Sequence, residues 1–193
     1  GMQGVFGAGV MTAFQEAKIS KRVHSIYASS AGAQNAAYFL SEQARLGSSI
    51  YYEELTNGFI KLANTKKYII DVLTHRFKKN SICSIIDIDY LIGIESKNKK
   101  LNAQKVKSHQ ANFYVRVFDI ENIKFEYIDA KENVLAALKA SSSCSPYYSN
   151  FVEINNRKYI DGSVIGTMGI LKIIELNKDK KITHIESSVL PCQ

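Results

Sequence analysis

The sequence predicts a single α/β domain with a mixed sheet. Short apolar or alternating segments, typical of strands, alternate along the chain with longer segments of helical periodicity. Strands that alternate with helices are typical of an α/β architecture. Two pairs of short strands are separated by short polar turns, and such hairpins add antiparallel pairs to the sheet. The length of 193 residues suits one domain with one core, so we assign residues 1–193 to a single domain.

The first half of the chain is predicted to be mainly helical around one short strand. Phe6, Val10 and Phe14 recur at helical spacing and form one apolar face. Glycines crowd the start of this helix, and because glycine disfavours helices they indicate a close approach of the backbone to a neighbouring strand or a ligand. In chain order we predict a helix over 4–17, a strand over 23–27, helices over 31–43, 51–63 and 68–77, and a short helix or loop over 85–94.

The second half is predicted to be richer in strands. A polar and basic segment opens it and is predicted as an exposed loop or a variable helix over 96–110. The later strands are predicted from alternating patterns that are joined in pairs by polar turns. In chain order we predict strands over 112–118 and 123–128, a helix over 134–140, strands over 151–154 and 157–160 joined by Asn155-Asn156, a helix over 165–176 and a strand over 182–189.

The composition is that of an ordinary globular domain and argues against several classes. Apolar residues make up 46% of the chain and charged residues 22%. No apolar run reaches the roughly 18 residues of a membrane span, and no basic and apolar leader opens the sequence. Cys83, Cys144 and Cys192 are too far apart to indicate a disulfide framework or a metal site, and we interpret Cys144 as a small buried thiol. We expect a cytoplasmic or peripheral membrane protein, with a secreted bacterial effector as an open alternative.

The net charge of +7 favours anionic partners such as nucleic acid or anionic lipid. Lysines and arginines cluster in the four segments 18–22, 61–67, 76–79 and 97–107. No nucleic-acid-binding motif accompanies them and no aromatic residues are interleaved as stacking platforms, so we expect no nucleic-acid partner. Two interpretations stay open, a solvated basic surface and attraction to an anionic membrane surface.

The segment Ala28-Ser29-Ser30-Ala31-Gly32 lies where the first strand turns into a helix. It is close to the G-x-S-x-G nucleophile elbow, a tight turn that exposes a serine oxygen above a helix N-terminus. Ala28 replaces the first glycine of the pattern and lacks the freedom of glycine at positive φ. The alternative is a serine-rich loop that caps an ordinary helix, because serine is a favoured N-cap residue.

A serine nucleophile needs a base, and the sequence favours an aspartate over a histidine. None of the four histidines, His24, His75, His109 and His184, lies in a conspicuous polar turn after a strand, so a Ser-His-Asp triad is poorly supported. Asp161 ends a predicted strand beside Gly162, at the sheet edge where α/β proteins bind ligands. The alternative is that Asp161 only starts a turn, since Asp-Gly is a common turn dipeptide.

Three motifs, taken in this order, resemble the signature of the patatin-like phospholipases. Residues 1–10 resemble the glycine-rich oxyanion loop G-G-G-x-R-G, and residues 28–36 resemble the elbow G-x-S-x-G-A-x-N-A. Residues 140–147 and 159–163 resemble the run of Ala-Ser, proline and an aromatic residue that is followed by Y-x-D-G-G/A. The resemblance covers nearly the whole chain and is weakest over 51–110.

The resemblance implies a three-layer α/β/α sandwich with a mixed, mainly parallel central sheet and a Ser-Asp dyad. Ser30 would be the nucleophile and Asp161 its general base, with no cofactor and no metal. The substrates would be phospholipids or other acyl-ester lipids. Oxyanion donors and supporting positions carried over by the motifs are Gly1, Met2, Gln3 and Gly4, and then Ala28, Ala31, Gly32 and Gly162.

The chain departs from the family pattern mainly at its N-terminus. Gln3 replaces the arginine of the oxyanion loop, and Ser163 replaces a glycine or alanine. The sequence starts at what would be the last glycine of that loop, and Gly1-Met2 resembles a tag residue before an initiator methionine. We therefore expect the usual first strand to be lacking and the exposed edge to favour a homodimer. Two functions stay open, an active lipid acyl hydrolase and a degenerate or truncated member that binds lipid or a protein partner without turnover.

Overall fold

The structure is a computed structural model that describes residues 3–56, 58–73, 84–163, 170–183 and 185. Its helices are α1 (Gly4–Glu16), α2 (Ala31–Leu40), α3 (Ala44–Ser49), α4 (Thr65–Leu73), α5 (Ile88–Ser96), α6 (Ala103–Ser108), α7 (Val134–Ser142) and α8 (Ile170–Leu176). Its strands are β1 (Ser25–Ala28), β2 (Asn112–Asp119), β3 (Lys124–Asp129), β4 (Val152–Ile154) and β5 (Arg157–Asp161). The predicted α/β class is confirmed. No helix in these ranges has both the length and the apolar character needed to span a membrane.

The sheet is mixed, as predicted, with β2 at its centre. β1 pairs with β2 in parallel, whereas the pairs β2–β3, β2–β5 and β4–β5 are antiparallel. The expectation of mainly parallel pairing does not hold for the described strands. The reason is that β3 follows β2, and β5 follows β4, after a short turn, which forces antiparallel pairing in those two pairs, whereas a long helical crossover connects β1 to its parallel partner β2.

β1 and β5 lie end to end along one edge of β2. Ala28 of β1 pairs with Val115, and Asp161 of β5 pairs with Val117, two residues further along β2. β3 occupies the other edge of β2 over this whole stretch, so β1 and β5 share an edge. The C-terminal ends of β1 and β5 therefore meet beside the middle of β2.

One face of the sheet carries the core. Phe113, Val115 and Val117 alternate along β2 and are fully buried, with α2 and α7 making the main helix contacts to the sheet. On the opposite face the ring of Tyr27 stacks on Tyr114 at a centroid distance of 5.1 Å. Helices α1 and α3 pack against α2, so α2 is enclosed on several sides and eight consecutive residues, 33–40, are buried.

Both predicted hairpins are confirmed. β2 and β3 pair from Tyr114 to Asp119, and β4 and β5 pair across Asn155-Asn156. Asn155 and Asn156 both have positive φ, 51° and 61°, as a two-residue type I′ turn requires. The helices predicted over 4–17, 31–43 and 134–140 correspond to α1, α2 and α7, with ends shifted by a few residues.

The predicted helix over 51–63 is wrong. The chain instead forms a π-helical turn over Ile50–Glu54, after which Ile60 makes an isolated antiparallel bridge to Ile86. A periodicity-based prediction fails here because tertiary pairing overrides local preference. Helix α3 was not predicted as a separate element, and the segment 85–94 proves to hold α5, which begins after the N-cap residue Asp87. Most of the strand predicted over 182–189 and parts of the helices predicted over 68–77 and 165–176 lie outside the described residues.

Candidate active site

Ser30 occupies a strained turn between β1 and α2. Its φ of 51° and ψ of −128° are rare for a residue with a side chain. Such a conformation costs on the order of 1–3 kcal/mol and persists where the surrounding structure enforces it, often at functional sites. A strained serine between a strand and a helix is the local geometry of a nucleophile elbow.

The capping alternative for Ser30 is not supported by the structure. Ser30 stands at the N-cap position of α2, but its side chain makes no capping hydrogen bond. A capping serine would accept a hydrogen bond at its hydroxyl oxygen from an N–H of the first turn. The hydroxyl of Ser30 therefore makes no hydrogen bond to the first turn of α2. The residue is half-buried.

The backbone of Ser30 is held by the C-terminal end of α7. Its N–H donates to the carbonyl oxygen of Ser141 at 3.1 Å and to the Ser141 hydroxyl at 3.0 Å. The Ser141 hydroxyl in turn donates to the carbonyl oxygen of Arg116 in β2 at 2.9 Å. Ser141 is fully buried, so this link fixes the strained turn to the central strand without competition from water.

Asp161 ends β5 in a fully buried position. Its N–H donates to the carbonyl oxygen of Ser143 at 3.1 Å. Its Oδ1 accepts from the N–H of Ser163 at 2.8 Å and from the Ser163 hydroxyl at 2.7 Å. Its Oδ2 has no hydrogen-bond partner among the residues that the structure describes. A buried carboxylate oxygen without a hydrogen-bond partner is rare in folded proteins and is often a catalytic group.

Burial raises the pKa of Asp161 above its ordinary value. The two donors of Ser163 and the hydroxyl of Ser30 act in the opposite direction and lower that pKa. The influence of Ser30 indicates that its hydroxyl lies near the carboxyl group, as the meeting of β1 and β5 beside β2 requires. The carboxyl is thus more basic than an exposed aspartate.

Two glycines allow the backbone around this pair to pack closely. A Cβ atom on Gly162 would lie 2.7 Å from the carbonyl carbon of Arg116, which no real contact allows. A Cβ atom on Gly4 would lie 2.6 Å from the Cβ of Ala31. Gly162 therefore brings β5 onto β2, and Gly4 brings the start of α1 onto the start of α2, directly after Ser30.

The turn at Ser30 does not require glycine at position 32 or at position 28 of the elbow motif. Gly32 is exposed, and a Cβ atom built on it meets nothing within 4 Å, so no close approach requires glycine at this position. Ala28 is buried in β1, and the positive φ belongs to Ser30 instead. The loss of glycine at position 28 therefore removes no conformational freedom that this turn needs.

The start of α1 is tied to α2 by buried polar contacts. Asn35 Nδ2 donates to the carbonyl oxygen of Gly4 at 2.8 Å, and the Tyr51 hydroxyl donates to Asn35 Oδ1 at 3.1 Å. The first N–H groups of a helix have no partner inside the helix. Of the predicted oxyanion residues, Gln3 is exposed at the N-cap of α1 and Gly4 is buried in its first turn. Gly1 and Met2 lie outside the described residues.

The two described histidines lie at the far end of the sheet from Ser30. His24 precedes β1, and its carbonyl oxygen accepts from the N–H of Asn112 at the start of β2. The four residues of β1 alone extend about 13 Å between His24 and the turn that holds Ser30. His109 precedes β2, and its Nδ1 accepts from the N–H of Ala111. His75 and His184 lie outside the described residues, so the described part of the chain supplies no histidine base.

Two further kinds of chemically active group are the cysteine thiols and the side chains that could bind a metal ion. Cys144 is half-buried, and burial together with the charge of nearby Asp161 raises the pKa of its thiol, which favours the interpretation of an unreactive thiol. Cys83 and Cys192 lie outside the described ranges. Within those ranges no group of three or more histidine, cysteine, aspartate or glutamate side chains is arranged to hold a metal ion.

A second buried carboxyl, which sequence reasoning missed, lies behind the elbow helix. The side-chain amide of Gln34 in α2 lies 2.6 and 3.2 Å from the two Glu95 oxygens and 3.0 Å from the Ser142 hydroxyl. Burial raises the pKa of Glu95 to about 8. The signal was present in the sequence, because Glu95 follows Leu91 by four residues on the apolar face of α5.

The sequence is similar to a known protein family and to a curated protein. The model described as "Patatin-like phospholipase" matches residues 1–172. The chain is also similar to "Uncharacterized protein YjjU" of Escherichia coli (strain K12), with 26% identity over 169 residues. That match covers 85% of this chain and 43% of the relative, so the chain spans less than half the length of the curated relative.

Proposed function

Because the chain belongs to the patatin-like phospholipase family, whose members act on lipid substrates, we propose that it hydrolyses acyl-ester lipids through a Ser30–Asp161 dyad. The observation that carries the proposal is the meeting of β1 and β5 beside β2. This arrangement supports a direct pairing of the two side chains, which come from positions far apart in the sequence.

The first step is acyl transfer to Ser30. The Ser30 oxygen attacks the acyl carbonyl carbon while its proton passes to the Asp161 carboxylate. Collapse of the tetrahedral intermediate breaks the ester bond, and the leaving alkoxide takes the proton from Asp161. Oδ1 of Asp161 is engaged by Ser163, so the unpaired Oδ2 is the oxygen that supports the role of proton acceptor.

The second step returns the enzyme to its starting state. Asp161 takes a proton from water, whose oxygen attacks the acyl carbon of the Ser30 ester, and the serine leaves with that proton. Burial makes Asp161 a stronger base than an exposed aspartate, which suits proton abstraction near neutral pH. No further base is required in this scheme.

Backbone N–H groups supply the proposed oxyanion stabilisation. The first turns of α1 and α2 meet at Gly4 and Ala31. In α2 the N–H groups of Gly32 and Ala33 donate to the Ser29 carbonyl oxygen, so the proposed donors are the N–H of Ala31 and the first N–H groups of α1. Two helix N-termini beside a nucleophile favour negative charge on the attacked oxygen. Loss of one such donor typically lowers the rate by a factor of about 10²–10³.

Labelling with a fluorophosphonate probe tests this proposal against the alternative of a member that binds lipid without turnover. We expect the wild type to be labelled and Ser30→Ala to remain unlabelled. The matched control is Ser29→Ala, because the neighbouring Ser29 hydroxyl is buried without a hydrogen-bond partner among the described residues. Absence of label on the wild type, or label that persists in Ser30→Ala, would contradict the proposed nucleophile.

A further inference from the structure

The segment Ile60–Ile70, which we call the α4 surface, exposes several large aliphatic side chains. Their exposed fractions are 45% for Ile60, 76% for Leu62, 49% for Ile69 and 57% for Ile70. Single exposed apolar residues are ordinary, but a cluster on one short segment indicates an interaction surface. The segment includes a short 3₁₀ turn over Leu62–Asn64 and the start of α4.

The α4 surface is packed against the loop that follows α7. The ring of Tyr68 is half-buried and stacks on the half-exposed Tyr147, with 6.5 Å between the ring centroids. The carbonyl oxygen of Tyr147 accepts from the N–H groups of Ile85 and Ile86, and Ile85 in turn accepts from the N–H of Lys61. The surface therefore has a fixed relation to this loop.

The same loop forms part of the wall around Asp161. Its residue Ser143 accepts the N–H of Asp161, and Cys144 lies near enough to Asp161 for the carboxylate to raise the pKa of the thiol. Tyr68 is thus connected to Asp161 through its ring contact with Tyr147 and through the loop that holds both Tyr147 and Ser143. The segment that carries the exposed aliphatic side chains therefore contacts the same loop that contacts Asp161.

The charged residues of the α4 surface are all lysines. Lys61, Lys66 and Lys67 are exposed among the aliphatic residues, and the whole chain has a net charge of +7. Lys61 also pairs with Asp87 at 2.6 Å. Aliphatic side chains surrounded by lysines suit an anionic bilayer, where the apolar groups enter the acyl boundary and the ammonium groups meet lipid phosphates. A protein partner fits less well, because lysine is depleted in protein–protein interfaces.

We propose that the α4 surface docks the protein on an anionic phospholipid bilayer, next to the entrance of the Ser30–Asp161 site. The docking stands on the exposed side chains and their charge, and only its role in delivering an ester to Ser30 rests on the proposed function. The proposal assigns Leu62 and Ile69 to insertion below the headgroups and Lys66 and Lys67 to the lipid phosphates.

Co-sedimentation with vesicles tests the docking without any dependence on turnover. In a Ser30→Ala background, the protein should bind vesicles of phosphatidylcholine with phosphatidylglycerol and bind pure phosphatidylcholine much more weakly. Leu62→Glu/Ile69→Glu and Lys66→Glu/Lys67→Glu should each weaken binding to the anionic vesicles by about tenfold or more. The matched control Leu171→Glu changes an equally exposed leucine, at 79%, and should bind like the parent. Circular dichroism checks that each variant is folded.

Equal binding by the parent and both double variants would overturn the proposal, as would a parent that does not bind. A parent whose dimerisation is lost in Leu62→Glu/Ile69→Glu would also overturn it, because the surface would then hold a second copy.

Hydrolysis measured in the active protein separates this proposal from the proposed function. Leu62→Glu/Ile69→Glu should lower turnover of a phospholipid in anionic vesicles by about tenfold while turnover of a water-soluble p-nitrophenyl ester stays unchanged. Loss of both activities in that variant contradicts a docking role. If the wild type hydrolyses neither ester and takes no fluorophosphonate label, the proposed function fails, whereas the vesicle-binding result stands on its own.

Discussion

The backbone N–H of Ser30 donates to both oxygens of Ser141, the carbonyl and the hydroxyl. Ser141→Ala removes the hydroxyl and, with it, the link to Arg116, but keeps the carbonyl bond. We expect the free energy of unfolding to fall by about 1–2 kcal/mol and kcat to fall by up to about tenfold, because the strained turn loses one of its restraints. Urea unfolding and ester hydrolysis measure the two effects.

Ser143→Ala is the matched control for that change. Its hydroxyl donates to the carbonyl oxygen of Lys139, within the end of α7, and does not contact Ser30. Its carbonyl bond to Asp161 is retained in the alanine variant. An equal loss of kcat in the two variants would show that Ser141 has no special role at the turn.

Asp161→Asn should abolish base catalysis while the fold is retained. Asparagine has nearly the same shape but cannot take up the serine proton, so kcat should fall by about 10²–10⁴-fold. A p-nitrophenyl ester assay measures the loss, and circular dichroism checks the fold. Wild-type activity in this variant would remove Asp161 from the mechanism.

The acid limb of the pH profile should report the environment of Asp161. The carboxylate must be ionised to act as a base, so activity is lost as pH falls through its pKa. Burial raises that pKa, so the limb should lie above the value of about 3.9 for a free aspartate. Ser163→Ala removes a donor that favours the ionised form, and the limb should move to higher pH. A limb that stays in place would contradict this account of the Ser163 contact.

Glycine-to-alanine changes at positions 162 and 32 should have opposite effects on stability. Gly162→Ala places a methyl group against the backbone of Arg116 and should lower the free energy of unfolding by about 1–3 kcal/mol. Gly32→Ala meets no atom and lies in the first turn of α2, so stability should be unchanged or rise by up to about 1 kcal/mol. Thermal or urea unfolding compares the pair, and equal effects would contradict the packing at Gly162.

Glu95→Gln should reduce the pH dependence of stability. Burial raises the pKa of Glu95 to about 8, so the folded state keeps a proton that the unfolded state releases near pH 4–5. Stability from this group is therefore present at acid pH and is lost as pH rises toward and through 8. Relative to the wild type, Glu95→Gln should gain at least about 1 kcal/mol between pH 5 and pH 9. A difference between wild type and variant that does not change with pH would contradict the buried carboxyl.

The features that the sequence predicts correctly are those that depend on a local sequence pattern. Alternation and the Asn155-Asn156 turn predict the hairpins because a two-residue turn sets the register of its own strands. Ser30 was singled out because the elbow is a local turn, and its strained φ agrees with that interpretation. Contacts between distant segments gave no such signal. The bridge from Ile60 to Ile86 and the contact of Gln34 with Glu95 depend on how separate elements pack, so periodicity could not reveal them.

The shared edge of β2 sets the distance between the ends of β1 and β5 at the candidate site. Val115 and Val117 are two residues apart, about 7 Å along an extended strand, and this rigid spacing separates the partners of β1 and β5. The long segments that connect β1 to β2 and β3 to β4 do not enter that distance. Insertions on the surface of those segments should therefore leave the relative positions of Ser30 and Asp161 intact, so surface segments can diversify while the proposed pair keeps its geometry.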